Sequence, residues 1–301
     1  MVSICIPIYN NVSEDLVFQL WNQISVLQIN AEIILYDDGS ELPPDHVYKQ
    51  AETIPDIHVH KSSKNLGRSA SRNQLAKIAK HPYLLFIDAD SEVPDKHYLE
   101  RYVKHIEPGV VCCGGTIYKS QKPEFPYILR WKYGKKRESI KASERQKFPW
   151  QQFTTHHFLI DKNIFISVGG FCEQIQGYGH EDTLFGYELK KQNIPVVHID
   201  NPLYHTGLEP ARDFLDKSKN AVRNLLLLYI KHRDDPDFVN NVRLLRFYQK
   251  QKNFRLLLFW RLLYSCFHLT AEHNLTSKYP SVSLFNLYKF SYLAHIINGF
   301  K

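Results

Sequence analysis

Within the first 115 residues, five short apolar runs alternate with helix-length stretches. The runs are Val2–Ile8, Glu32–Tyr36, Asp56–His60, Tyr83–Asp88 and Val110–Ile117. Between them lie Glu14–Gln28, a short segment after Pro44, Gly67–Ala79 and Asp95–His105. Strands that are apolar almost throughout must be covered on both faces, so this alternation predicts an α/β fold with a mostly parallel sheet sandwiched by helices. In such sheets ligands bind beyond the carboxyl ends of the strands, which is where polar residues carry meaning. Residues 120–150, with Pro123, Pro126 and Pro149, read as a loop-rich connection punctuated by Trp131, Tyr133 and Trp150. Residues 153–207 return to α/β patterning, and from about 211 the chain reads as a helical tail. This gives three expected segments: 1–115, 116–210 and 211–301.

The chain of 301 residues is 44% hydrophobic and 23% charged, which excludes disorder as its main state. Its five Cys are scattered and form no Cys-x-x-Cys pair, so a reducing compartment is expected. The N-terminus reads as a core strand rather than a signal peptide, and no apolar run approaches the roughly 20 residues of a membrane span. The charge is uneven. Residues 240–301 carry nine Lys/Arg, Lys301 among them, against one acid, Glu272, while the body is close to neutral. A basic tail of this kind meets anionic partners. No nucleic-acid motif accompanies it, which leaves an anionic membrane surface or an acidic polymer; the chain is expected to be cytoplasmic, with a peripheral place at the membrane inner face left open. Phe254–Phe267 is too apolar for a fully exposed helix and is interrupted by Arg255 and Arg261. It is read either as an interfacial helix or as one packed on the body, on other helices or on a second subunit of a homo-oligomer.

Three acidic clusters carry chemistry. Asp37-Asp38-Gly39-Ser40 ends the second run, where carboxylates accept hydrogen bonds from a base or ribose, or simply close a turn. Asp88-Ala89-Asp90 ends the fourth, and strand alternation would aim both acids to one side, as suits a hard divalent cation. Gly177-Tyr178-Gly179-His180-Glu181-Asp182 places two acids at the start of a helix after a glycine-shaped loop; N-terminal capping is the plainer alternative. His205 follows the last expected strand and is a candidate metal ligand. Arg68 and Arg72 share a helix face by their spacing; Arg68 is a candidate phosphate contact, and Arg72 is read as solvent-exposed or as a pairing residue. His156 and His157 point oppositely on a strand, so at most one faces a site.

Taken in order, Ile4–Asn10, Asp37–Ser40, Asn65-Leu66-Gly67-Arg68 with Ser71-Arg72-Asn73, Asp88-Ala89-Asp90, Gly169-Gly170-Phe171, Glu181-Asp182 and His205 resemble the successive motifs of family 2 glycosyltransferases. The resemblance covers about residues 1–207. It implies a nucleotide-diphospho-sugar transferase (GT-A) fold and inverting transfer from a nucleotide-diphosphate sugar, a UDP-sugar by expectation, to a saccharide or lipid-linked glycan. It implies that Pro7 and Tyr9 line the base pocket, that Asp37 or Asp38 binds base or ribose, and that Asn65, Arg68 and Asp88 complete the donor site. Asp90, and His205 as in some members, would ligate Mn²⁺ or Mg²⁺. Asp182 would be the general base, with Glu181 holding acceptor or sugar. The Gly177–Asp182 loop is similar to the Gly-Trp-Gly-x-Glu-Asp loop of galactose- and N-acetylgalactosamine-transferring members, with Tyr178 in place of Trp and His180 in place of a small residue. Tyr178, Gly179, His180 and Trp150 are the acceptor candidates, and packing is the competing role for the aromatics. A phosphohydrolase using Asp88 as nucleophile and a non-catalytic nucleotide-sugar or membrane-surface binder are the competing classes.

Overall fold

Val2–Ile8 (β1) is buried along nearly its whole length, with Ile4, Ile6 and Ile8 in one apolar cluster and Cys5 in the other, so both faces of the strand are covered. The computed structural model describes residues 1–297; Lys301 lies outside the described residues. The remaining strands are Ala31–Asp37 (β2), Ile57–Lys61 (β3), Tyr83–Ile87 (β4), Ser91–Glu92 (β5), Val111–Cys113 (β6), Thr116–Ile117 (β7), His157–Asp161 (β8), Val196–His198 (β9) and Leu203–His205 (β10).

Seven strands form one sheet in the order β3-β2-β1-β4-β8-β6-β9, and three form a small sheet in the order β5-β10-β7. The large sheet is parallel except for β8, which runs antiparallel to both β4 and β6. Because β1 pairs in parallel with β2 and with β4, the carboxyl ends at Ile8, Asp37 and Ile87 lie along one edge. The chain steps from β1 through β2 to β3 on one side and then returns to β4 on the other. That reversal opens a crevice beyond the strand ends.

Helix Glu14–Leu27 starts at Ser13, whose hydroxyl caps the Leu16 N–H, with Glu14 and Asp15 in its first turn. It buries Leu16, Val17, Leu20 and Ile24 on one face of the sheet. The other face is built on aromatics. Phe86 stacks on Phe158 at 4.9 Å between ring centroids, and Phe171 on Phe185 at 4.5 Å.

Two sequence expectations are corrected. Val110–Ile117 is not one strand: Gly114-Gly115 divides it into β6 and β7, which belong to different sheets. A Cβ at Gly114 would overlap the His157 ring, so the chain can turn there only as glycine. The loop-rich reading of 120–150 is also incomplete, because helices Ile128–Arg137 and Ala142–Arg145 form within it. The prolines precede the first helix and follow the second, so they bound helices rather than exclude them.

By their contacts the residues group into two compact units. The first comprises 1–118, 138–174 and 181–207, which joins most of the two expected α/β halves. The second comprises 119–137, 175–180 and the residues from 208 onward. It is helical, with helices Ile128–Arg137, Ala211–His232, Pro236–Asn241, Arg243–Lys250, Phe254–Leu275 and Val282–Ile296. Its core joins Leu129, Phe214, Leu215, Leu275, Phe285 and Tyr288, with Tyr133 wedged 5.5 Å from Phe214 and 5.3 Å from Phe285. No described helix is long and apolar enough to cross a membrane.

Candidate active site

The crevice of the first unit is edged by the ends of β1, β2 and β4. Beyond β1, Pro7 is half-buried and Tyr9 is 46% exposed, an aromatic ring left open at a strand end. Asn10 ties this end to the next loop: its backbone N–H donates to Ser40 Oγ at 2.7 Å, and its side-chain oxygen accepts from the Glu41 and Leu42 N–H groups.

Asp37 and Asp38 are both buried but differ in their contacts. Asp37 accepts one backbone bond, from Ser40 N at 2.8 Å. Asp38 uses both oxygens, accepting from Leu66 N at 2.8 Å and Gly67 N at 2.9 Å. It thereby clamps the Asn65–Arg68 segment from which helix Arg68–Ile78 starts. Gly39 lets the two segments meet. Its φ is +69°, and a Cβ there would come within 2.5 Å of the Lys64 carbonyl carbon. Asn65 itself is exposed.

Helix Arg68–Ile78 aims both arginines at the end of β4, as their spacing requires. Arg72 is 2% exposed and forms a short ion pair with Asp88 Oδ1, so its pairing role is the one present. Arg68 lies 3.7 Å from Asp88 Oδ2 through Nη2 and 3.4 Å from Glu181 Oε1 through Nε. One guanidinium thus joins three stretches of chain: residues 68, 88 and 181.

The strand ends at Ile87 and the chain turns at Ala89-Asp90, so the alternation expected to aim Asp88 and Asp90 together does not continue past the strand. Asp88 turns to the arginines. Asp90 faces His205, with 3.5 Å between Oδ2 and Nε2. The small sheet makes this meeting, since β10 pairs with β5 and sets His205 opposite Ser91. Thr206 reinforces it by donating its N–H and hydroxyl to the Asp90 carbonyl at 2.8 and 2.7 Å. A methyl group at Gly207 would overlap the Asp90 carboxylate. Two donors 3.5 Å apart can both touch one cation at the usual donor distances of about 2.1 Å. Among the described residues no group of three or more His, Cys, Asp or Glu could hold a metal ion. Asp90 and His205 are thus one carboxylate and one imidazole, and a cation there would take its remaining ligands from elsewhere.

His156 and His157 are both structural. His156 bonds to Ser91 Oγ at 3.0 Å and Thr116 Oγ1 at 2.8 Å. His157 bonds to the Tyr98 and Tyr102 hydroxyls and the Gly115 backbone, and burial holds its pKa well below the usual histidine value.

Helix Glu181–Lys191 opens on the two acids. Glu181 is buried, and its Oε2 has no hydrogen-bond partner. Asp182 is half-buried and accepts from the Thr183 N–H at 2.6 Å. Desolvation first, and then the adjacent Glu181 charge, push the Asp182 carboxyl up to about 7, against the opposing pull of Thr183 and Arg68. Asp182 feels the Arg68 charge, while Asp90 is turned to His205.

Trp150, an acceptor candidate, has the packing role: it lies against the aromatic core and donates its indole N–H to Ile194 O at 2.8 Å. Tyr178, Gly179 and His180 group with the second unit, and helix Ala211–His232 holds their loop. Asn220 accepts from Tyr178 N at 2.8 Å, and Asn224 donates to the carbonyls of Gln176, Tyr178 and Gly179 at 2.9, 3.1 and 3.3 Å. Sequence reading missed both asparagines, because nothing local marks a helical Asn as a loop clamp. The signal that could have found them is their spacing of four on one helix face. Asn73 closes the Ser71-Arg72-Asn73 motif. It pins Gly169-Gly170-Phe171 by exchanging bonds of 2.9 Å with the backbone of Phe171.

A parallel sheet with a reversal point, acids at the strand ends and a carboxyl pair at a helix start define a nucleotide-sugar transferase architecture. Comparison agrees. Residues 3–172 match the model of glycosyl transferase family 2, and the chain belongs to that family. It is 24% identical over 224 residues to validoxylamine A glucosyltransferase of Streptomyces hygroscopicus subsp. jinggangensis, covering 65% of this chain and 53% of that protein. It is 24% identical over 231 residues to hyaluronan synthase of Pasteurella multocida, covering 65% of this chain and 23% of that one. The chain thus spans about half the length of the first relative and less than a quarter of the second. In fold it resembles the mannosyltransferase PcManGT from Pyrobaculum calidifontis, solved in complex with GDP-Man and Mn²⁺. The TM-score is 0.59 at 17% identity, with 99% of this chain and 86% of that one covered.

Proposed function

We propose that this chain is an inverting, metal-dependent hexosyltransferase that moves a sugar from a nucleoside-diphosphate donor, a UDP-sugar, to a hydroxyl of a saccharide or lipid-linked glycan. The observation that carries the reading is the Arg68 contact with both Asp88 and Glu181, beside an Asp182 carboxyl raised to about 7. A base with that pKa is ionised for much of the time near neutral pH yet basic enough to take a proton.

In this reading Tyr9 stacks on the base beside Pro7. Asp37 receives the base or ribose, since Asp38 is already engaged at both oxygens. Asn65 and Asp88 line the donor's ribose and sugar. Arg68 is exposed enough to reach a donor phosphate while it holds Asp88 and Glu181. Asp90 and His205 would hold Mn²⁺ or Mg²⁺, which when bound supplies Lewis-acid stabilisation of the departing diphosphate. Asp182 takes the acceptor's hydroxyl proton as that oxygen attacks the anomeric carbon and the sugar–phosphate bond breaks on the opposite face. The partnerless Oε2 of Glu181 accepts from a hydroxyl of sugar or acceptor. Tyr178, Gly179 and His180 supply acceptor contacts. An Asp88 nucleophile is disfavoured, because both its oxygens face guanidinium groups.

The test is a thermal-shift screen of nucleotide sugars with Mn²⁺ or Mg²⁺, followed by a transfer assay with the best donor. A UDP-sugar should raise Tm only with the cation present, and glycoside should form. Donor binding without glycoside or released nucleotide would make the chain a non-catalytic nucleotide-sugar binder.

A further inference from the structure

Helix Phe254–Leu275 is apolar on two opposite faces, and only one of them is covered. Leu257, Trp260, Tyr264 and Leu275 turn toward the neighbouring helix Val282–Ile296, where Trp260 meets Phe290 at 5.1 Å and Tyr264 meets Tyr292 at 5.3 Å. On the far side Leu258, Phe259, Leu262, Cys266 and Leu269 form a stripe at helical spacing. Phe259 and Leu262 are each 56% exposed and Leu269 is 70% exposed. At 1.5 Å per residue the stripe runs about 16 Å. An exposed apolar stripe on an otherwise packed helix marks an interaction surface.

Charge identifies the partner. Just before and at the start of this helix in sequence, Arg243, Arg246, Lys250, Lys252 and Arg255 are all exposed, and among the described residues none pairs with a carboxylate. The one acid between residues 240 and 301, Glu272, is already engaged by Lys219 at 2.9 Å and by the Tyr288 hydroxyl. A dimer across this face would set the same patch against itself, cations against cations. We infer that the stripe lies in the surface of an anionic lipid bilayer, with Leu258, Phe259, Leu262 and Leu269 among the acyl chains and the five cations at the headgroups. This surface does not depend on the transfer chemistry, and it would bring the chain to a lipid-linked acceptor.

The test is co-sedimentation of the full chain, without substrates, with vesicles of phosphatidylcholine alone and with one-third phosphatidylglycerol. Binding to the anionic vesicles should be at least tenfold tighter and should weaken as salt is raised. The double substitution Phe259→Glu and Leu262→Glu should weaken it at least tenfold, and Arg246→Gln or Arg255→Gln by about fivefold each. These positions are exposed, so an unchanged Tm should show that the variants fold. Equal binding to both vesicle types, or none, would overturn the inference. So would a dimer in solution that Leu262→Glu dissociates in a protein that ignores vesicles.

Discussion

Asp38 and Asp182 are both carboxylates in the first unit, and they are held in opposite ways. Asp38 accepts two backbone N–H bonds and clamps a loop. Asp182 is desolvated beside a second acid, and its affinity for a proton rises. The contrast separates acids that build the crevice from acids available for chemistry. A carboxylate satisfied at both oxygens stabilises the fold, whereas one kept short of partners retains basicity at the expense of stability.

The largest expected effect breaks the chemical side of this contrast. Asp182→Asn should lower kcat by about 10²–10⁴-fold. The same variant should be the more stable protein at pH 8. A carboxyl raised from its ordinary value to about 7 on folding lets the native state hold its proton longer than the unfolded chain does. Wild-type stability is therefore lost as pH rises from about 4 to about 7, a loss the amide does not share. Thermal melts of both proteins at pH 5 and pH 8 would check the sign.

The structural side predicts the reverse. Asp38→Ala should destabilise by about 3 kcal/mol, by removing two bonds to a charged acceptor, and urea titration would measure it. If it instead left stability unchanged and abolished only donor binding, the assignment of Asp38 to the framework would be wrong. Gly207→Ala should displace the Asp90 carboxylate and weaken Mn²⁺ binding by about 10–100-fold, measurable by calorimetry in the presence of nucleotide. The smallest effect concerns the second unit. Asn224→Ala removes donors to three loop carbonyls and should raise the acceptor KM by about threefold to tenfold while sparing donor affinity, which initial-rate kinetics would separate.

How much of this was legible in the sequence depended on whether the cause was local. β1, β2 and β4 were readable because each is a continuous apolar run ending in polar residues, and the parallel order then aligned their ends. Glu181-Asp182 was readable because acids after glycines at a helix start form one short pattern. The parting of Asp88 from Asp90 was not, since it follows from where the strand stops, and alternation cannot show that. The break at Gly114-Gly115 depends on the His157 ring, which comes from a strand more than forty residues away. The asparagine clamp on the Gly177–His180 loop likewise joins stretches that share no local pattern. Long-range contacts settle such details, and a single sequence carries only the local half of them.

The central claim is that Asp182 is the base and that Glu181 helps to hold its proton affinity up. The most direct measurement is the pH dependence of kcat/KM for the wild type and for Glu181→Gln. The wild type should lose activity below an apparent pKa near 7, and the variant's acid limb should move to lower pH because a neighbouring negative charge is gone. An acid limb that stays in place when Glu181 is neutralised would contradict it.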